Sequence, residues 1–513
     1  LAARDVISGI SSSFFLEWST GEKVSRLSFF KIKRRSLVLF SVLLICFPST
    51  GAINVFALPG AQSRTPQDDE ALATVRGLDR AGRTANGELA QLSPAEHLRR
   101  ASLYMTNRAF AEARAHWQTL IERYPNDPNV TTALYGIGRS YFQNRQYEES
   151  LPWFERLARD YAQTKDGREG LYSLASALLR AGRAGEAVDR YREYTERFPQ
   201  GERIDGAYLN VIDGLREAGR PSEAIEWIER TRERFRATPT DVNAQFARLR
   251  LDVAGGDWQH ALEAADQLRS IAPFASSVQT SSLEVAYLRA YSLERLGRTE
   301  EASNAYLAIP DVLGSYYGEL ASKRLLAMKS AARRAVLTER LNRVNADITS
   351  SAAQYPAPYR ELIVRAAARR GLDPRLVLAI MRQESGFRPR AKSQAAARGL
   401  LQLTVDTAAR YSARAGLNNL QDVELYRPET NILVGSEYLA ELMRLFPDQP
   451  EAVIASYNGG EDNVARWLKR ARQKEAGVFV AEVGFAETKD YVFKVMSNYR
   501  AYRQLYTSDL RPK

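Results

Sequence analysis

The 513-residue chain has room for about two to four domains of ordinary size; 26% of it is charged and the formal net charge is +11. Its only cysteine, Cys46, falls in an apolar run near the N-terminus, which excludes a disulfide framework or a thiolate metal site from the rest of the chain. The three histidines, His97, His116 and His260, all lie in the first two-thirds, so the last third has none to offer a zinc site or a Ser-His-Asp triad, and no metal or other cofactor is expected.

In chain order, residues 1–57 read as a signal-like leader. A basic cluster from Lys31 to Arg35 precedes the apolar run Leu37–Phe47 and then small residues, the layout of an export signal. The run is shorter than the about 20 residues a membrane span needs. Export with cleavage after Ala52 or Ala57 is the first reading and retention as an N-terminal anchor the second, both placing the protein in the periplasm or at the cell envelope; a cytoplasmic protein is the third. Residues 58–92 lack a sustained apolar stripe and are rich in Gly, Arg, Asp and Gln, which predicts a flexible linker.

A repeat array is expected over 93–310. Small residues recur at Ala113, Ser150, Ala187, Ala224 and Ala261, each 37 positions after the last, followed by Ala302 after 41. A turn-like stretch precedes each, and aromatics close the units at Tyr124, Tyr161, Phe198 and Phe235. The spacing within a unit, as in Gly138, Tyr141, Ser150 and Phe154, is that of a helix–turn–helix hairpin and resembles the tetratricopeptide repeat, lengthened beyond its usual 34 residues. Such hairpins stack into an α-solenoid. A scaffold or spacer is the plain reading of the array; protein partners on its surface are the alternative.

Residues 311–354 read as a helical connector and 355–513 as a final domain with 25 basic and 18 acidic residues. That excess suggests an anionic partner, for which nucleic acid, an acidic membrane surface and a cell-wall polymer are open choices on charge alone. Within the domain, Asp373-Pro374 forms an N-cap and first helical position, Val377, Ile380 and Met381 line one face, and Gly386 can stop the helix. Glu384 falls on that apolar face, where partial burial would raise its pKa to suit a general acid. The other reading has Glu384 turned outward to pair with Arg382 or Arg388.

The motifs around it carry more. Glu384-Ser385, Ser393 and Gly399-Leu400-Leu401-Gln402 are followed by Pro428, Asn431-Ile432, Gly435 and Tyr438-Leu439, by Ser456-Tyr457-Asn458-Gly459-Gly460, and by Glu487-Thr488 with Tyr491-Val492. In order and spacing this set resembles the soluble lytic murein transglycosylases, whose fold is similar to goose-type lysozyme. The resemblance implies an all-α chain, an α-solenoid followed by a mainly helical, lysozyme-like catalytic domain. It implies cleavage of the β-1,4 bond between N-acetylmuramic acid and N-acetylglucosamine in peptidoglycan, leaving 1,6-anhydromuramyl ends. Glu384 would be the single acid and base; Ser385, Gln402, Tyr457, Asn458, Glu487 and Tyr491 would bind or support the substrate, with packing an equal alternative for the two tyrosines. Two departures stand out: Thr404-Val405 where the family has Met-Pro, and Ala396-Ala397 where it has Gly-Ala.

Rival readings are a lysozyme-type muramidase, which calls for a second carboxylate such as Asp406, Asp422 or Glu424, and a repeat-based cell-wall-binding protein. Nucleic acid is not an expected partner, because the basic domain lacks aromatic-basic interleaving or a recognised motif.

Overall fold

The structure, a computed structural model, describes residues 67–328 and 333–513; the leader expected at 1–57 lies outside them. Six hairpins of helices stack from Pro94 to Leu307, beginning with Pro94–Thr106 against Phe110–Arg123 and ending with Ser282–Arg295 against Thr299–Leu307. The sequence period explains how they close. Ala113, Ser150, Ala187, Ala224, Ala261 and Ala302 are all fully buried, because at these points two helices approach too closely for a larger side chain. Gly138 shows how closely: a Cβ there would stand 2.7 Å from the ring of Phe154. The aromatics at Tyr124, Tyr161, Phe198 and Phe235 each cap the second helix of a unit.

The turn inside each hairpin contains one residue in the left-handed region, at Arg108, Arg145, Gly182, Gly219, Gly256 and Gly297, with φ between 61° and 82°. Glycine adopts this conformation freely, whereas an L side chain costs roughly 1–2 kcal/mol. The first two hairpins accept that cost, and both arginines are used elsewhere in the fold.

The segment expected to be a flexible linker contains a helix, Gln67–Ala81, that is packed down. Leu72 and Val75 are buried, but polar groups do most of the docking. Asp79 accepts from Tyr104 at 2.5 Å, contacts His116 at 2.9 Å and pairs with Arg100, while Arg76 pairs with Glu112 at 3.0 Å. A hydrophobic stripe of two residues gives no helical period to read, which is why composition alone pointed to a linker.

Two connector helices, Tyr316–Ala327 and Arg334–Ser350, lead into the final domain. Here packing is continuous: Tyr287, Tyr306, Tyr316 and Tyr317 belong to the same apolar core as Ile380, Ile454 and Val492. A nearly dry ion network fastens the fourth and fifth hairpins to the final domain. Arg250 lies 3.3 Å from Glu482 and 3.5 Å from Asp213, Arg470 3.0 Å from Glu217 and 3.2 Å from Glu482, and Arg216 also pairs with Glu482. Burial works against the charge on Glu482, but the guanidinium groups of Arg216, Arg250 and Arg470 hold its carboxyl below the usual range. Among the described residues no helix is long and apolar enough to cross a membrane.

The fully buried alanine row makes one substitution diagnostic. Ala187→Arg places an unpaired charge between helices and is expected to destabilise the array by on the order of 3 kcal/mol, a drop of roughly 5–10 °C in melting temperature. A melting curve followed by circular dichroism that matched the parent's would contradict this packing.

Candidate active site

The helix Pro374–Ser385 is built as its sequence dictates. Asp373 caps its N-terminus by accepting from the Arg375 amide, Pro374 occupies the first turn, and Gly386 ends it at φ 55°. Leu376 to Met381 are buried almost completely, so the last turn is held rigidly over the core. Glu384 emerges half-buried at that end and takes a 2.7 Å hydrogen bond from the hydroxyl of Tyr491. Neither arginine of the outward-facing reading reaches it. Arg382 stacks 4.5 Å over Tyr355, and Arg388 donates to the carbonyl of Ser385.

Burial pushes the Glu384 carboxyl up to about 8; the hydrogen bond from Tyr491 pulls it down, and the charge of Glu487 adds to the rise. Glu487, likewise half-buried, is pushed up to about 7 by burial and by Asp490. Both carboxyls line one cleft of about 340 Å³ together with Ser385, Gln402, Tyr457, Asn458 and Tyr491. All seven residues singled out in the sequence are therefore gathered at one place, although their side chains are engaged differently. Tyr491 contacts the acid itself.

The floor of the cleft is the irregular loop between Gly386 and Thr404, pinned by short bridges of Arg398 with Lys392 and Leu403. Ser385 is buried and donates to the carbonyl of Leu400 at 2.8 Å, tying the loop to the end of the acid helix. The amide nitrogen of Gln402 donates to the carbonyls of Gly399 and Ala391 at 2.8 and 3.1 Å. Tyr457 donates to the carbonyl of Leu401 at 2.8 Å and packs 5.1 Å from Tyr438, while Asn458 accepts from Thr488 at 2.6 Å. Gly399 has no alternative residue: its φ is 79°, and a Cβ would stand 2.2 Å from the carbonyl oxygen of Leu425. Ala396, at φ 57°, occupies a left-handed position better suited to glycine.

Two contributors come from the repeat array and were not singled out in the sequence. Arg108 donates to Asp406 at 2.6 and 3.0 Å, and Arg145 lies 2.5 Å from Glu461; all four residues line the cleft. The available signal was arginine at a turn position where later hairpins carry glycine. These pairs bear on the second carboxylate. Burial opposes ionisation of Asp406, but Arg108 holds it below its usual range, so it is a committed anion. Asp422 and Glu424 belong to a short helical turn, where Glu424 caps the backbone of Gln421, and neither lines the cleft. Among the described residues no cluster of three or more His, Cys, Asp or Glu could hold a metal.

Residues 361–480 match the family described as transglycosylase SLT domain, and residues 98–164 and 169–201 match tetratricopeptide repeat families. The chain thus carries a transglycosylase SLT domain together with tetratricopeptide repeats. The soluble lytic murein transglycosylase of Escherichia coli K12 is 32% identical over 158 residues, 30% of this chain and 24% of that protein. The membrane-bound lytic murein transglycosylase C of Yersinia pestis is 30% identical over 167 residues, 28% of this chain and 47% of the relative. The matches therefore span less than half the length of these curated relatives. The solved 70 kDa soluble lytic transglycosylase of Escherichia coli aligns over 85% of this chain and 91% of its own at 15% identity, with a TM-score of 0.40.

The Tyr491 hydroxyl stabilises the ionised form of Glu384, so removing it favours the proton. Tyr491→Phe is expected to raise the titration midpoint of the Glu384 carboxyl by roughly one unit from about 8, read from its carbon chemical shift. A midpoint that fell would place the hydrogen bond on the neutral form instead.

Proposed function

We propose that the protein is a peptidoglycan lytic transglycosylase that cleaves the β-1,4 bond between N-acetylmuramic acid and N-acetylglucosamine and forms 1,6-anhydromuramyl ends. The observation that carries this reading is the half-buried carboxyl of Glu384, raised to about 8 and held by Tyr491 in a cleft. At neutral pH such a group is mainly protonated and can act as general acid.

In the proposed cycle Glu384 gives its proton to the glycosidic oxygen as the bond from the muramyl anomeric carbon breaks. The substrate's own N-acetyl group stabilises the cationic centre. The carboxylate then takes the proton of the muramyl 6-hydroxyl as that oxygen attacks the same carbon, so the acid is regenerated and no water is consumed. One residue serves both transfers, which removes the need for the second free carboxylate that many glycosidases employ; the pairing of Asp406 with Arg108 counts against Asp406 as such a group. Ser385 and Gln402 keep the loop against the acid, and the unengaged carbonyl oxygen of Gln402 is available to a sugar donor. Tyr457, Asn458 and Glu487 line the path of the glycan, and no cofactor takes part.

Export follows from the leader-like sequence at 31–57 and from the location of the polymer, with cleavage or anchoring of the leader both compatible. The repeat array, besides framing the cleft, offers a surface to protein partners.

Two measurements test the proposal. Glu384→Gln keeps the shape of the side chain and loses the transferable proton, and turnover should fall about 10³-fold or more with melting temperature and glycan binding retained. Parent digests of peptidoglycan should contain muropeptides lighter by one water than hydrolysed ends; reducing ends alone, or an active glutamine variant, would refute the assignment.

Charge should act on recruitment rather than on chemistry. The domain's 25 basic against 18 acidic residues attract a polyanionic wall over a Debye length of about 8–10 Å. Raising salt should therefore weaken binding to insoluble peptidoglycan while leaving the maximal rate on short soluble chains nearly constant. A parallel loss of both would assign the basic excess to ordinary surface solvation.

A further inference from the structure

The loop that floors the cleft carries two buried cations it cannot itself neutralise. Arg398 is fully buried and Lys392 is 4% exposed. Within the loop, Arg398 finds only the carbonyl of Ala396, at 2.8 Å. Their counter-charge comes from more than 300 residues away, where the helix Gln67–Ala81 presents Asp69. One oxygen of its carboxylate accepts from both Lys392 and Arg398 at 2.8 Å, and the other from the hydroxyl of Tyr426 at 2.8 Å. Asn107, at the end of the first helix of the array, accepts a further bond from Lys392 at 3.1 Å. Burial works against the Asp69 charge, but the bonds from Lys392 and Arg398 hold its carboxyl below the usual range.

What these cations support is the geometry around the acid. The backbone of Arg398 exchanges hydrogen bonds with Leu403 at 2.9 and 3.0 Å, and between them lie Leu400, the acceptor of Ser385, Leu401, the acceptor of Tyr457, and Gln402. A buried cation stripped of its partner is strongly unfavourable and moves toward water. Two such cations would draw the loop away from the end of the acid helix. Displacements of about 1 Å in a reacting geometry can cost on the order of 100-fold in rate.

We propose that Asp69 is a positioning residue for the catalytic cleft: by pairing with Lys392 and Arg398 from outside the catalytic domain, it holds the loop 391–403, and with it Gln402 and Leu400, in register with Glu384. The helix Gln67–Ala81 is then a working part of the active site, and the domain beginning at residue 355 is incomplete without it. The inference rests on the proposed function for its rate readouts but not for its structural one.

The test uses the full chain. Asp69→Asn preserves shape and removes the charge; the orphaned cations should lower the melting temperature by several degrees, and, measured well below that transition, kcat on short soluble glycan chains should fall about tenfold or more, with KM within about threefold of the parent. Asp69→Glu should recover most of the rate. Adding Lys392→Gln to Asp69→Asn should also recover part of it, because one orphaned cation is removed. A parent-like rate in Asp69→Asn, a loss confined to KM, or no rescue by glutamate would each overturn the proposal. Should Asp69→Asn fail to fold, Tyr426→Phe withdraws one hydrogen bond and leaves the Asp69 carboxylate paired with both cations; a kcat loss of about two- to fivefold supports the proposal and an unchanged kcat overturns it. A parent inactive on peptidoglycan would refute the functional reading alone. In that case amide hydrogen exchange decides: faster exchange across 391–403 in the Asp69 or Tyr426 variant supports the positioning role, and identical exchange overturns it.

Discussion

In the proposed cycle one carboxyl releases and recovers a proton near neutrality, and such a group cannot sit in open water, where it titrates near 4.3, nor in a sealed apolar pocket, where it would not ionise. Glu384 occupies the narrow range between these limits, half-buried, with one phenolic donor and the neighbouring Glu487. Three contacts hold Glu384 in that position. The acid helix is capped at both ends and seated on a buried face, the floor loop is tied to it through Ser385, and Tyr491 stands on a long helix, Ala486–Leu505, that is itself anchored.

Much of that anchoring comes from the repeat array. Lys489, two residues past Glu487, donates to Glu284 at 3.0 and 3.2 Å in the last hairpin, and Glu284 also accepts from Tyr317 and Thr280. Ion pairs this deeply buried are poor sources of net stability, since desolvation offsets most of their attraction. Their value here is geometric: each admits one arrangement of the array against the final domain and penalises any slip that leaves a charge unpaired. Apolar packing through Tyr287, Tyr316 and Val492 supplies the burial, and the ionic contacts specify its register.

The legibility of these features in the sequence follows from their physics. Packing that repeats leaves a period, so the hairpins, their small buried residues and their capping aromatics could be placed from the 37-residue step. Groups that line the cleft were legible as short ordered motifs: Glu384, Tyr491 and Gln402 meet there. Contacts between distant segments left no pattern. Asp69, Arg108 and Arg145 act through partners roughly 300 residues away, and a lone Asp or Arg in a polar stretch looks like solvated surface. The helix Gln67–Ala81 was missed for the same reason: its docking rests on paired charges rather than on an apolar stripe. Side-chain orientation was equally hidden, for nothing in the spacing indicates that Ser385 turns inward to a carbonyl.

The hairpins look interchangeable, six near-copies with the same buried alanine or serine and the same left-handed turn. Their outward faces are not. The first two turns put Arg108 and Arg145 into the cleft, the fourth and fifth hairpins hold Arg216 and Arg250 against Glu482, and the sixth holds Lys489. Each copy has an address as well as a shape. In most solenoids length drifts freely as units are gained or lost; here adding or removing one would leave the stacking intact and move every later contact out of step with its partner. Repeat number is in this chain a fixed coordinate of the cleft.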